Sequence, residues 1–399
     1  MNKLTPARPN RDSSTWAGYF SLATYAWFLY GFSATQALLR DEQGTSRTVS
    51  SIHALVFSLG GIIAGLLGAR FILTMGRGKV RAMALLGTTV GVLVYTAPGG
   101  FPVTIIGAGL TSFFGTAVVI SASAFLFDHQ KEAGPAALTE ANALAAVAGV
   151  LAPLAIGLSS VLVVGWRTGV WILFGGVVLS LLLMRRNPLV FRVPPDEAMR
   201  EREHTPFPRL FWWALFTLFL LLTTEFTLTI WSADLLRERG GFEAGAAAAS
   251  VAAVTGGMLV GRLVGSRFAE YFPVDRILIL AVSTAMLGWV IVFVSTQGLF
   301  ILIGLFISGI GISLFWPLGV SRVVLASGGQ SDRATAFSTI AGGTAGGLGP
   351  FALGALADVV GVHSAFIFLP IALSLGFLLM ITNPVTKAIA PITPTTSGK

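Results

Sequence analysis

Long apolar segments recur along the whole chain, and short polar or basic segments separate them. About 20 apolar residues cross the roughly 30 Å hydrocarbon core of a bilayer as an α-helix, so each segment predicts a membrane span. The short alternation of polar and apolar residues that a membrane β-barrel requires is not seen. The sequence therefore predicts an all-α membrane protein with twelve transmembrane helices. The predicted spans are 16–38, 49–74, 81–97, 101–127, 137–160, 164–184, 210–235, 244–268, 276–294, 299–327, 334–358 and 364–382.

The composition agrees with lipid as the main solvent. Hydrophobic residues make up 54% of the 399 residues, charged residues only 11%, and the mean hydropathy is +0.80, a balance that water-soluble proteins do not need. The chain has no cysteine, which excludes disulfides and thiolate metal sites. The first residues, "MNKLTPARPNRDSSTW", are polar and basic and lack a cleavage-site pattern. We expect them to form a cytoplasmic tail and not a removable signal peptide.

The basic residues predict how the chain is oriented. Only five of the 26 lie on the side of the spans away from the termini, which leaves 21 on the side of the termini: the five are Arg40, Arg47, Arg167, Arg237 and Arg239. The positive-inside rule therefore predicts a multi-pass protein of the cell membrane, specifically the inner membrane, with both termini in the cytoplasm. The net charge of +8 is spread over short loops, so it indicates topology and no nucleic-acid partner.

The second half of the chain repeats features of the first. "AGVLAPLAIG" (148–157) aligns with "AGGLGPFALG" (345–354) at an offset of 197, and "GGIIAG" (60–65) aligns with "GGMLVG" (256–261) at an offset of 196. Two repeats of six spans in the same orientation are typical of transporters with parallel halves. We expect a six-helix bundle in 1–184, a charged cytoplasmic linker in 185–209 and a second bundle in 210–399.

These features resemble those of a major facilitator superfamily transporter over essentially the whole chain. The loop signature of that family, Gly-x-Leu-Ala-Asp-Arg-x-Gly-Arg-Arg, is degenerate here, with Ala69 in "GLLGARFILTMGRGKVR" and Ser266 in "GRLVGSRFAEYFPVDR". "GRLVGS" and the seventh-span segment "TTEFTLTIWSADLL" also resemble the fucose-permease-like branch. The resemblance implies alternating access between two halves. The loop aspartates that form the usual cytoplasmic gate of the family are missing here.

Glu225 lies within the apolar segment "LFTLFLLLTTEFTLTIW" (215–231). Burying a carboxylate near the bilayer midplane costs several kcal/mol, so we expect the side chain to be protonated or to have a partner in a wet cavity. No basic residue is expected at the same depth, and a proton that binds and leaves is then the simplest charge compensation. Glu225 is the candidate for proton coupling. The alternative is a hydrogen bond that only holds helices together.

Polar and aromatic side chains suggest the solute site. The resemblance implies that spans 1, 4, 7 and 10 line a central cavity, and hydroxyl and aromatic groups suit an uncharged or amphipathic organic solute. For each of these residues, a role in helix packing alone is an equal alternative to contact with the solute. Glu140 opens span 5, where an acid caps a helix start. The candidate solute-binding residues are Tyr25, Trp27, Tyr30, Gln36, Ser112, Thr116, Asn142, Trp231 and Trp316.

Six residues are candidates for gating. Since the loop aspartates are missing, we expect Asp128 to interact with Arg70 or Arg322 when the cytoplasmic side is closed. Pro153 and Pro350 weaken the backbone ladder of spans 5 and 11 and can kink them. The candidate gating residues are Arg70, Asp128, Arg262, Arg322, Pro153 and Pro350.

Motifs of catalysis are absent: the four histidines are scattered, and no HExxH, GxxxxGK[ST] or GxSxG occurs. We predict a monomeric secondary active transporter, without enzyme activity, cofactor or metal, that interacts with a small-molecule substrate, protons and the lipid bilayer. A proton-driven multidrug exporter and a non-transporting membrane sensor of similar fold are the alternatives. A glycine–proline element like the one in span 5 occurs in drug/proton antiporters of the resembled family.

Overall fold

The computed structural model describes residues 9–162, 165–186, 206–268 and 272–385. Every regular element in these ranges is a helix, which confirms the all-α fold. The predicted linker lies largely outside the described residues, between 187 and 205. The first half of the chain contains α1 (Ser13–Gln43), α2 (Arg47–Met75), α3 (Arg77–Tyr95), α4 (Gly100–Gln130), α5 (Gly134–Ser159) and α6 (Arg167–Arg185). A 3₁₀ turn, Lys131–Ala133, joins α4 to α5.

The second half of the described chain, from residue 206 onwards, contains eight further helices. Two predicted spans are interrupted: the span predicted at 299–327 breaks between α10 and α11, and the last span breaks between α13 and α14. The helices are α7 (Arg209–Gly240), α8 (Ala244–Phe268), α9 (Val274–Val294), α10 (Gly298–Ile312), α11 (Phe315–Leu325), α12 (Ser331–Val360), α13 (Val362–Ala365) and α14 (Phe368–Thr382).

Ten segments of the described chain are long and apolar enough to cross a membrane. The interrupted helices α10–α11 and α13–α14 each count as one of these segments. Helices α1 and α3 are not among the ten: α1 is rich in serine, threonine and tyrosine, and α3 begins with three basic residues in its first five positions. With them the structure is consistent with the predicted twelve spans. The fold is therefore that of a multi-pass helical membrane protein.

The ends of the helices lie at two opposite faces of the bundle. We call the face where α1 begins and α14 ends the terminal face, and the face with the α1–α2 and α7–α8 connections the opposite face. At the opposite face α1 ends at Gly44 and α7 at Gly241, both in the left-handed region at φ 61° and 69°, which glycine adopts without strain. At the terminal face Asp12 caps α1 by accepting from the backbone N–H of Thr15 at 2.8 Å.

Glycines allow helices within each half to approach closely, and the approaches repeat along the chain. A Cβ atom on Gly60 would lie 2.4 Å from the backbone oxygen of Gly109, and one on Gly257 would lie 2.1 Å from that of Phe306. Only a residue without a side chain fits such a contact. Both members of the first contact precede those of the second by 197 residues, so the repeat offset found at 148–157 also relates α2–α4 to α8–α10.

Helix α7, which carries Glu225, is the most buried of the ten segments. Within its apolar window 67% of the residues are buried, compared with 33% for α2 and α6. Helix α9 instead exposes leucines such as Leu280 and Leu287, at 62% and 57%, as expected for a helix that faces lipid. The fold thus places Glu225 on a central helix.

Candidate functional site

Glu225 lies in the middle of α7 and is buried, with 9% of its surface exposed. Its Oε2 atom has no hydrogen-bond partner among the described residues. The hydroxyl of Thr229 donates to the backbone oxygen of Glu225 at 2.7 Å, which leaves the carboxyl itself unengaged by that neighbour. A buried carboxyl without a partner is costly in hydrocarbon, so this group is unusual within the described chain.

The expectation that no basic residue shares the depth of Glu225 is wrong. Arg262 of α8 acts on Glu225 through its charge, although the two form no direct ion pair in the described part of the chain. The Nη2 atom of Arg262 donates to the hydroxyl of Tyr30 at 3.4 Å. Arg262 lies near the end of its span, where a long side chain can extend along the protein interior to a polar partner. The guanidinium and the phenol therefore meet between the halves, and the guanidinium charge acts on the carboxyl.

Tyr30 is held in place by α5. A Cβ atom on Gly149 would lie 2.7 Å from the Tyr30 ring, so the ring occupies the space that a side chain at 149 would need. Gly149 belongs to the glycine–proline segment that shows the repeat. Part of that motif therefore serves the contact between Tyr30 and Arg262.

Three other predicted residues form a separate cluster inside the first half. The buried hydroxyl of Tyr25 lies near those of Ser112 and Thr116, and the Tyr25 ring lies directly over Gly115. A Cβ atom on Gly61 would lie 3.2 Å and 3.3 Å from the two α4 hydroxyls. The structure thus brings these predicted residues together, between α1, α2 and α4.

Three predicted solute-binding residues use their polar groups for packing within their own half. The indole N–H of Trp27 donates to a backbone oxygen of α6 at 2.9 Å, and the amide of Gln36 donates to the Tyr95 hydroxyl at 3.1 Å. The indole N–H of Trp231 donates to the backbone oxygen of Pro350 at 2.9 Å. The structure does not bring these three residues to the Glu225 site.

Trp316 and Asn142 differ in whether their side chains are free to contact a solute. Trp316 is 40% exposed and lies against Gly342 and Leu222, so that a Cβ atom on Gly342 would be 2.7 Å from its ring. Asn142 is exposed, but its amide donates to the backbone oxygen of Leu138 in its own helix at 2.9 Å. Trp316 therefore offers an aromatic surface near α7, whereas the amide N–H of Asn142 is already bonded.

At the opposite face, charged side chains join the two halves. Three ion pairs connect the end of α1 or the start of α2 to the end of α7, and the buried pair has side chains that are only 12% and 4% exposed. The pairs are Arg40–Asp234, Arg237–Asp41 at 2.6 Å and Arg47–Glu238 at 3.1 Å.

A further contact at this face caps a helix across the halves. The carboxylate of Asp358, at the end of α12, accepts the backbone N–H of Thr48 at 2.8 Å and that of Arg47 at 3.0 Å. The Thr48 hydroxyl also donates to it, at 2.6 Å. Helix α2 has a cap of its own as well, since Ser46 Oγ accepts from the N–H of Val49 at 3.2 Å. The start of α2 therefore has one cap from each half.

At the terminal face the ion pairs between described residues stay within one half. Asp128 pairs with Arg77, while Arg322 donates to Asp275 at 2.7 Å. Arg322 is 1% exposed, and Arg70 is exposed. The structure does not bring Asp128 to Arg70 or Arg322, and their contact in the other conformation stays a prediction.

Glu140 is not a helix cap, contrary to the expectation from sequence. Helix α5 begins at Gly134, six residues earlier, because a 3₁₀ turn leads directly into it. The carboxylate accepts two bonds from Arg11, at 2.8 Å and 3.1 Å, and one from the Tyr19 hydroxyl at 2.9 Å. Glu140 thus attaches the segment before α1 to α5.

The two prolines do not end their helices. Helix α5 continues through Pro153 and α12 through Pro350. The predicted loss of one backbone hydrogen bond at each proline is therefore accommodated within continuous helices.

Metal ligands are not grouped in the described ranges: no cluster of three or more His, Asp or Glu side chains could hold an ion. The buried His53 is close to Ser50 and Thr104, and both of its ring nitrogens are within 2.9 Å of their oxygens.

A sequence model of the family described as Major Facilitator Superfamily matches residues 16–293. No curated protein matches the chain. The resemblance to the fucose-permease-like branch is not confirmed by these comparisons.

Solved transporter structures share the fold. A mutant of the peptide transporter POT is 14% identical, with a TM-score of 0.77, and the alignment covers 96% of this chain and 98% of that one. A bacterial homologue of the human lysosomal transporter Spinster, inward-facing and unoccupied, is 14% identical with a TM-score of 0.71, covering 93% and 96%. A mutant of the nucleoside transporter NupG is 11% identical with a TM-score of 0.73, covering 93% and 99%.

Proposed function

The chain belongs to the Major Facilitator Superfamily, and from this membership we propose that it is a secondary active transporter that moves a small organic solute by alternating access. The single observation that carries the proposal is the Glu225 site. The guanidinium of Arg262 contacts the hydroxyl of Tyr30 between the two halves, and its charge acts on the buried carboxyl of Glu225. Solute sites of such transporters lie at the interface of the repeats, near the midplane.

We propose that residues 1–184 and 210–399 act as two bundles, and that both termini are in the cytoplasm. The bonds between described residues of the two halves support a conformation closed at the opposite face. Apart from the Tyr30–Arg262 contact, all of them lie at that face. With the basic loops at the terminal face, the conformation corresponds to an inward-facing one.

We propose that Glu225 couples transport to protons. The charge of Arg262 acts on Glu225, and the two form no direct pair within the described chain. The carboxyl can therefore bind a proton in one conformation and release it in another, and the charge of Arg262 changes the balance as the halves move. The alternative role is a hydrogen bond to a neighbouring helix. The Oε2 atom of Glu225 forms no such bond within the described chain.

The proposal is tested with Glu225→Gln in proteoliposomes. The substitution keeps the shape and removes the titration, so we expect accumulation under an imposed pH gradient to be lost and exchange at equal pH to remain. Glu140→Gln is the matched control, because Glu140 is also an acid within a span but is bonded to Arg11 and Tyr19. Wild-type accumulation by Glu225→Gln contradicts proton coupling.

The same assay separates the two alternatives. Efflux of hydrophobic drugs, driven by protons, would identify an exporter, which the exposed ring of Trp316 near α7 could serve. Binding of a solute without flux would identify a sensor. We propose that Asp128 interacts with Arg70 or with Arg322 when the terminal face is closed. A structure closed there in which the Asp128 carboxylate lies more than about 8 Å from both guanidinium groups contradicts this contact.

A further inference from the structure

An apolar groove on the outside of the second half lies between α8, α9 and α10. Its volume is about 340 Å³, and its walls include Val264, Leu280 and Leu314. This volume is within the range of ligand sites in proteins. Val264 and Leu280 are 50% and 62% exposed, so the groove opens towards the lipid and not towards the Glu225 site.

The groove carries a cation at the terminal face. Arg276, near the start of α9, lines it and is exposed, and its guanidinium has no bonded partner within the described chain. The neighbouring Asp275 does not compensate this charge, because its carboxylate is buried and accepts from Arg322 at 2.7 Å and from the N–H of Val385 at 2.8 Å. A positive charge thus lies at one end of an apolar groove, at the level where helices leave the membrane.

The first half provides a natural comparison. Its related groove, between α2, α3 and α4, has a volume of about 100 Å³. Phe114 fills it, since its ring lies where a Cβ atom on Gly87 would be. The positions 197 residues later are Gly311 and Thr284, which leave the second groove open. Lys79, the counterpart of Arg276, does not line the smaller groove.

We propose that the groove between α8, α9 and α10 binds one anionic phospholipid of the leaflet at the terminal face. The acyl chain lies along the apolar walls and the phosphate contacts Arg276. Basic pockets between membrane helices on the cytoplasmic side bind such headgroups. A free phosphate ion would use only the guanidinium and none of the apolar wall, so the combination of the two favours a lipid. The proposal does not depend on transport or on Glu225.

Native mass spectrometry of the detergent-purified protein tests the headgroup. We expect one phosphatidylglycerol molecule to be retained in preference to phosphatidylethanolamine. Arg276→Gln should reduce this retention about fivefold, which corresponds to the ~1 kcal/mol that one basic residue contributes near an anionic surface. Lys79→Gln is the matched control at the repeat-related position and should retain the lipid. Equal loss in both variants, or equal retention of both lipids by the wild type, overturns the proposal.

A second measurement tests the groove without altering Arg276. Because the chain has no cysteine, a fluorophore can be attached at Leu280→Cys alone, or at Met83→Cys in the related groove. The two positions are exposed to a similar extent, 62% and 54%, and lie 197 residues apart. Phosphatidylglycerol with brominated chains should quench the label at 280 more than brominated phosphatidylethanolamine does, and should show no such preference at 83. The same preference at both positions, or at neither, contradicts a specific site.

Discussion

The two faces of the helix bundle differ in which helices their ion pairs connect. At the opposite face, pairs such as Arg40–Asp234 join the two halves. At the terminal face, Asp128–Arg77 and Arg322–Asp275 each stay within one half. Ion pairs between the halves form only while the halves touch, so they stabilise the conformation that is closed at the opposite face. Pairs within a half can persist in every conformation, so they set its stability. Charge pairs of the same chemistry thus have different consequences at the two faces.

Loss of the buried pair at the terminal face should have the largest effect, and on stability alone. Asp275→Asn leaves Arg322, which is 1% exposed, without its carboxylate, and removing one partner of a buried pair costs roughly 3–5 kcal/mol. We expect a large drop in the thermal unfolding temperature. Asp128→Asn is the control, because Asp128 is 59% exposed in its pair and such pairs contribute about 1 kcal/mol or less. Equal destabilisation by both would contradict the comparison.

Loss of the buried pair at the opposite face should change the conformation. Asp234→Asn removes the carboxylate that Arg40 contacts in the other half and leaves it only Asp41 of its own helix, at 3.7 Å, so the face should open more often. A cysteine at Ser51, a buried residue against Gly354, would report this opening by its reaction with an impermeant maleimide. We expect the rate to rise tenfold or more, since 1.4 kcal/mol is already a factor of ten and the loss of a buried partner costs more.

The double variant Arg40→Gln/Asp234→Asn is the control for this prediction. It removes the isolated charge as well as the pair, so its labelling rate should lie between those of the wild type and Asp234→Asn. An unchanged rate in Asp234→Asn would show that the pair does not hold the face closed.

Removal of the cap between the halves should have a smaller effect. Asp358→Asn weakens the bonds to the start of α2, and the loss of a capping residue costs about 1 kcal/mol. We expect the labelling rate at Ser51→Cys to rise about fivefold. Ser46→Ala removes the cap that α2 receives from its own half and should leave the labelling rate unchanged. A larger rise in Ser46→Ala than in Asp358→Asn would reverse this assignment.

The exposed pair should matter least. Glu238 and Arg47 have side chains that are 35% and 31% exposed, and exposed pairs contribute roughly 0.2–1 kcal/mol. Glu238→Gln should therefore raise the labelling rate less than fivefold. The difference from the wild type should disappear at about 1 M salt, where the Debye length falls to ~3 Å. A difference that persists in high salt would indicate that Glu238 acts by another means.

Much of the fold could be predicted because its signals are local in the sequence. Apolar length defined the spans, and the glycine–proline segments showed the repeat that the close helix contacts share. Glu225 was found for the same reason, since one acid stands out in an apolar segment. The breaks after Ile312 and before Phe368 were missed, because the hydropathy of these segments continues across them.

The rest of the candidate site depends on how each helix is rotated about its axis and on how far its side chains extend. Neither can be predicted from the hydropathy pattern. Trp27 and Trp231 are aromatic residues in the predicted lining helices, but their helices turn them towards packing partners. Arg262 lies close to the end of its span, so its contact with Tyr30 required knowledge of how α8 crosses α1. The Arg40–Asp234 pair joins residues almost 200 positions apart, and nothing near either of them indicates the other.

The two caps of α2 affect how the opposite face can separate. When the halves move apart, Asp358 leaves with α12, but Ser46 stays with α2 and keeps the N–H of Val49 bonded. Fraying of the first turn is therefore limited, and the halves can part as preformed bodies without local melting. The surface that becomes exposed to water still contains a folded first turn of α2, whose backbone N–H groups can bond to Asp358 again. Reclosure then requires rigid-body motion alone and does not include the unfavourable nucleation of a helical turn.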